Sequence, residues 1–78
     1  MRSAMEIELL TTAGCHLCEQ AEKMLLQVCP DAVVRRVDIA ESDGMIEEYG
    51  ERIPVLRYGG REISWPFSLL DLRNLIVG

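Results

Sequence analysis

The sequence predicts a small α/β domain in which a mixed four-stranded sheet is flanked by three helices. Three observations carry that reading. Hydrophobic periodicity alternates between two residues and about 3.6 along the chain, in the order β-α-β-α-β-β-α. A Gly59-Gly60 pair separates the last two extended stretches, as a tight hairpin requires. The chain has 78 residues, 49% of them hydrophobic and 27% charged. A chain of this size buries only ~60% of its unfolded surface, enough for one core but not two. A single domain over residues 1–78 is therefore expected.

The elements follow in order. Glu6-Ile7-Glu8-Leu9 alternates polar and apolar, and Leu10-Thr11-Thr12 adds β-branched residues, so a first strand is expected over about 5–11. Ala13-Gly14 punctuates it. From Cys15 onward, Leu17, Ala21, Met24, Leu25 and Val28 recur at helical spacing, with Glu19, Gln20, Glu22, Lys23 and Gln27 on the other side. Pro30 stops that helix. Ala32 to Ile39 is a valine-rich second strand, and Arg35 and Arg36 suit an edge position, where charge discourages further pairing. Glu41 to Gly50 reads as a short acidic helix built on Met45, Ile46 and Tyr49. Ile53 to Tyr58 and Arg61 to Ser64 form the third and fourth strands. Ser68 caps a last helix with Asp71 in its first turn, and Leu69, Leu72 and Ile76 form its buried stripe. A helix between the first two strands makes them parallel with a right-handed crossover, while the hairpin makes the last two antiparallel.

Composition narrows the function. Thirteen acidic against eight basic side chains leave a net charge of −5. No basic cluster exceeds Arg35-Arg36, so nucleic acid is not an expected partner. No apolar run approaches the ~20 residues that span a bilayer, so no membrane partner is expected. The N-terminus carries one positive charge with no apolar stretch behind it, which points to a cytoplasmic address. Three cysteines, an odd number, do not make a closed disulfide framework of the secreted kind.

Two of those cysteines, Cys15 and Cys18, form a C-x-x-C pair at a strand-to-helix junction. A thiol attacks disulfides as its thiolate, and the unpaired N–H groups at a helix start stabilise that anion. Cys15, in the first turn, is the candidate nucleophile. Cys18, nearly one turn further and on the buried side, is the candidate resolving thiol that attacks the mixed disulfide. A tetrahedral zinc site needs four ligands, and only one pair is present. Cys29 lies eleven positions beyond Cys18, roughly 16 Å along a helix, too far to share a metal or a disulfide. No metal is expected, and Cys29 reads as a structural or half-exposed thiol at a helix end, with a regulatory role as the minority reading. His16 either tunes the pair as an imidazolium or points into water. Ile53-Pro54 opens a strand where proline cannot donate to the ladder. The bond is either cis, freeing the Ile53 backbone for a substrate, or trans at a strand start.

Taken together, Leu9-Leu10-Thr11-Thr12-Ala13-Gly14-Cys15-His16-Leu17-Cys18, Val37-Asp38-Ile39 and Ile53-Pro54-Val55-Leu56 resemble the thioredoxin superfamily, most closely its short glutaredoxin-like members. The resemblance implies a thioredoxin-like (glutaredoxin-like) fold, a thiol–disulfide oxidoreductase with Cys15 as nucleophile, and a cis Pro54 facing Cys15. It places His16, Leu17, Arg52, Ile53 and Pro54 where a substrate would touch. The chain departs from the glutaredoxin pattern at His16-Leu17, at Arg52-Ile53, and at Trp65-Pro66-Phe67-Ser68, where glutaredoxins carry a glycine pair that holds glutathione. Trp65 and Phe67 are expected to be core or cover for the last helix, with part of a substrate groove as the other reading. No cofactor is implied, and glutathione enters only as a candidate reductant. The expected partners are a disulfide-bearing protein or small thiol and an electron donor, either glutathione or a reductase. Nothing in the pattern demands a dimer, so a monomer is expected. The competing reading is a non-catalytic thioredoxin-like binding or redox-regulated module; metal carriage by a dimer is a third.

Overall fold

Strand β1 (Glu6–Thr11) lies inside the sheet, and the other strands assemble around it in the order β2-β1-β3-β4. A computed structural model describes residues 6–77. Residue 5 of the expected first strand, and the N-terminal residues on which the cytoplasmic expectation rests, lie outside them. Helix α1 (His16–Val28) carries the chain across to β2 (Val33–Asp38), which pairs parallel to β1 with Leu9 opposite Arg36 and Thr11 opposite Asp38. The parallel pair follows from the helical crossover. A 3₁₀ turn (Ile39–Glu41) and helix α2 (Asp43–Tyr49) lead to β3 (Val55–Tyr58), β4 (Arg61–Ser64) and α3 (Leu69–Val77). Gly59 and Gly60 both have positive φ, 59° and 81°, the conformation that closes a two-residue hairpin and that side-chain-bearing residues rarely adopt. Edge strand β2 carries Arg35 on one face and Arg36 on the other, in keeping with the edge position read from the sequence.

Alternation along β1 divides the core in two. Ile7 and Leu9 face Ala21 and Leu25 of α1, Leu72 and Leu75 of α3, and Leu56 and Phe67. Leu10 faces the other way, with Val55 and Ile39, under Met45 and Tyr49 of α2. Next to this cluster the second face carries a row of charge. Arg35, Glu8, Arg57 and Glu62 are successive register partners across all four strands and alternate in sign, with Arg57 2.9 Å from Glu8. Opposite charges placed side by side stabilise a sheet by about 0.2–1 kcal/mol per pair.

Several apolar residues depart from their expected places. Leu17 is 42% exposed, and Cys18 takes the buried position at the start of α1. Leu69 is 45% exposed; the stripe of α3 is Leu72 and Leu75 with Ile76 half-buried, and Phe67 in the preceding segment fills the core instead. Trp65 is half-buried and meets Phe67 edge to face, ring centroids 5.1 Å apart, so the two rings belong to the core that Leu72 and Leu75 of α3 share. Ile46 is 45% exposed because Met45 and Tyr49, four apart, are the α2 residues that face the sheet. Strand β3 begins at Val55 rather than Ile53. The Tyr49 carbonyl accepts both the Arg52 and Ile53 N–H groups, at 2.8 and 3.1 Å, so those residues close the turn after α2.

Candidate active site

The β1–α1 junction is built to turn sharply. Gly14 has φ 78°, which lets the chain reverse from the strand into Cys15. Cys15 is extended (φ −84°, ψ 98°) and is the N-cap of α1. Its Sγ accepts the Cys18 N–H at 3.2 Å, one of the donors that a helix start leaves unpaired. Cys15 and Cys18 are disulfide-bonded, with Cα atoms 5.3 Å apart. Cys15 is half-exposed and Cys18 only 5% exposed. This is the asymmetry that an attacking and a resolving sulfur require: one within reach of a substrate, the other within reach only of its neighbour.

The remaining sequence candidates distribute around this bond. His16 is exposed, its Nδ1 3.8 Å from Glu19, so it points into water beside Cys15. Leu17 is exposed in the same turn. Pro54 stands one residue before Val55, which pairs with Leu10, so it lies at the sheet end from which β1 passes to Cys15. The Ile53–Pro54 peptide is cis, as is Trp65–Pro66. The two proline segments are tied together by the Trp65 N–H, which donates to the Pro54 carbonyl at 2.9 Å. The Ile53 N–H is not free for a substrate, because it is spent on the Tyr49 carbonyl.

Arg52 is likewise engaged within the fold. Its guanidinium reaches Glu62 at 2.7 Å, Ser64 Oγ at 3.2 Å and Glu48 at 3.5 Å, and lies 5.0 Å from the centroid of the Tyr49 ring. The Arg52 hydrogen bond, with that of the Tyr49 hydroxyl, holds the Glu62 carboxyl below its ordinary value, and Glu62 in turn raises that of Arg52. Arg52 thus braces the turn before Pro54 against β4. Cys29 caps the other end of α1, half-exposed, its N–H donating to the Leu25 carbonyl at 2.8 Å. That position fits the helix-end thiol read from the sequence.

Sequence reasoning missed one feature of the site. A groove of about 480 Å³ opens beside the disulfide on the β2 side of α1, lined by Cys15, Cys18, Glu19, Glu22, Arg36 and Asp38 and floored by Leu9 and Thr11. Arg52, Ile53 and Pro54 lie outside it, towards β3. Arg36 crosses the groove to Glu22 at 2.6 Å. The signal was in the parallel register, which places Arg36 beside Leu9 and Asp38 beside Thr11, on the face that α1 covers. Among the described residues, no cluster of His, Cys, Asp and Glu is arranged to hold a metal ion, and no helix is long and apolar enough to cross a membrane.

Known proteins share this architecture. The X-ray structure of the structural-genomics target protein XcR50 from X. campestris superposes with a TM-score of 0.79 at 37% identity, covering 90% of this chain and 93% of that one. Its solution structure gives 0.78 at 37% identity, over 95% and 92%. Uncharacterized proteins of Mycobacterium tuberculosis and Mycobacterium bovis are each 36% identical over 70 residues, which is 81% of this chain and 72% of theirs. The family model described as Glutaredoxin-like domain (DUF836) matches residues 6–77. The chain therefore belongs to the glutaredoxin-like family, a short member of the thioredoxin superfamily carrying a C-x-x-C disulfide at the start of its first helix.

Proposed function

We propose that the protein is a dithiol–disulfide oxidoreductase that reduces the disulfide of a protein or small molecule. One observation carries the reading: a half-exposed sulfur, Cys15 Sγ, accepts a backbone N–H at a helix N-terminus while its partner Cys18 is buried beneath it. Donors preorganised in this way stabilise a thiolate over a thiol, and C-x-x-C cysteines so placed have pKa values of about 3.5–7.5 against ~8.5 for a free one.

In the reduced protein, the Cys15 thiolate attacks one sulfur of a substrate disulfide R–S–S–R. A Cys15–S–S–R bond forms, the substrate bond breaks, and one RS⁻ departs. Cys18 then loses its proton to solvent and attacks Cys15 Sγ. The Cys15–Cys18 bond forms and the second RS⁻ leaves, so the substrate gains two electrons and the protein loses two. An external thiol, whether glutathione or the dithiol of a reductase, returns the protein to its reduced form. No bound cofactor is needed. Such a cycle belongs in a reducing compartment, for which the cytoplasm is the natural setting.

Substrate arriving at Cys15 meets His16 and Leu17, which are exposed beside it, and approaches the Ile53-Pro54 segment that Arg52 braces. The test is a trapping experiment. In Cys18→Ser the protein cannot resolve its own mixed disulfide, so in a single turnover without external thiol a substrate-linked adduct at Cys15 should accumulate, while Cys15→Ser should form no adduct at Cys18. Binding of a partner that survives Cys15→Ser, with no adduct in Cys18→Ser, would make the chain a binding module instead.

A further inference from the structure

The groove on the β2 side of α1 has no part in the reading above, yet both cysteines stand in its wall. We propose that this groove selects the substrate, and that it takes a protein cysteine flanked by lysine or arginine rather than an anionic thiol. The proposal rests on the dithiol reading and names its substrate class. Its site is the cavity onto which the disulfide opens, and the charged residues determine which disulfide can enter.

At about 480 Å³ the groove accommodates a few side chains, not a folded surface. Three carboxylates line it, Glu19, Glu22 and Asp38, against one guanidinium, Arg36. Arg36 is already committed, 2.6 Å from Glu22, whose side chain is only 23% exposed. An anionic ligand would have to displace Glu22 from Arg36 and enter past Glu19 and Asp38. Asp38 accepts the Ala40 N–H at 2.9 Å through one oxygen and has no cationic partner in the groove. His16, 3.8 Å from Glu19, leaves the excess negative even when protonated. A cationic side chain next to the reacting cysteine meets the reverse: carboxylates left uncancelled in the same groove wall that holds the two cysteines. Charges so placed raise the encounter rate of an opposite partner and lower that of a like one, and salt screens both effects.

The experiment compares two small disulfides of similar size, the diamine cystamine and the dicarboxylate dithiodiglycolate, as oxidants of the reduced full-length protein. Each second-order rate constant is divided by that of an unstructured, uncharged Cys-x-x-Cys peptide under the same conditions, which removes intrinsic reactivity. The expected result is a normalised preference for cystamine of about tenfold at low salt, shrinking towards unity in about 0.5 M salt. Glu22→Gln, which frees Arg36, should cut that preference about fivefold, and the exposed Glu19→Gln should cut it to a lesser degree. Disulfide-linked peptides with lysine beside the cysteine should outpace those with glutamate in the same proportion. A normalised ratio near one, a preference for the dicarboxylate, or a ratio unmoved in both variants overturns the proposal. Failure of the dithiol reading looks different: neither constant would exceed that of the free peptide, whatever their ratio.

Discussion

The hydrogen bond from the Cys18 N–H to Cys15 Sγ makes Cys15 a helix cap as well as a reactive group, and that dual role can be tested through stability alone. Two replacements separate the functions. Cys15→Ser and Cys15→Ala both abolish the disulfide, but only serine keeps an acceptor for the Cys18 N–H. Replacing a capping acceptor by alanine costs about 1 kcal/mol, within a range of about 0.5–2. For 78 residues the unfolding entropy is roughly 0.16 kcal/mol/K. The two variants should therefore melt about 6 °C apart, alanine lower, within limits of about 3–12 °C. The assay is thermal unfolding followed by circular dichroism in a reducing buffer, so that neither variant forms an intermolecular disulfide through Cys18 or Cys29. Equal melting temperatures would mean that the side chain at position 15 does not cap α1. The argument that the helix start stabilises a Cys15 thiolate would then lose its structural basis.

Three further outcomes are expected. Leu25→Ala removes a fully buried side chain between α1 and the sheet and should cost about 2–5 kcal/mol, a large part of the roughly 4–12 kcal/mol available to a domain this size, as read from urea unfolding. Ser68→Ala breaks a reciprocal cap, in which the Asp71 N–H donates to Ser68 Oγ at 3.1 Å and the Ser68 N–H donates to Asp71 at 2.9 Å, and should lower stability by about 1 kcal/mol. Because Arg52 holds the Glu62 carboxyl below its ordinary value of 4.5, the stabilisation is present above that pH and lost as pH falls through the lower folded value. Glu62→Gln should therefore be less stable than the native protein at neutral pH and converge with it in acid, as followed by unfolding at stepped pH.

What was legible in the sequence was local. The hairpin followed from two glycines, the α3 cap from Ser68 and Asp71, and the disulfide from a three-residue spacing, because each depends on neighbours along the chain. The strand order could be narrowed because connection rules leave few ways to join these elements. What escaped was set by contacts between distant segments. Arg36 read as an edge-strand charge, yet the β1–β2 register turns it under α1 to meet Glu22 and build the groove. Arg52 was read for its place before Pro54, and its ties to Glu62 and Ser64, arriving on β4, could not be seen from its neighbours along the chain. Leu17 and Leu69 satisfy the helical period but lie in the first turns of their helices, and Cys18 of α1 and Phe67 ahead of α3 fill the core instead. Periodicity identifies a helix face but not how far along the helix that face is covered.

The central claim is that the helix start keeps Cys15 ionised near neutral pH, and alkylation of the reduced protein measures it directly. The iodoacetamide rate at Cys15, resolved by mass spectrometry from pH 4 to 10, should rise with a midpoint below about 7.5. A midpoint at about 8.5 or above would leave Cys15 an ordinary thiol and contradict the account.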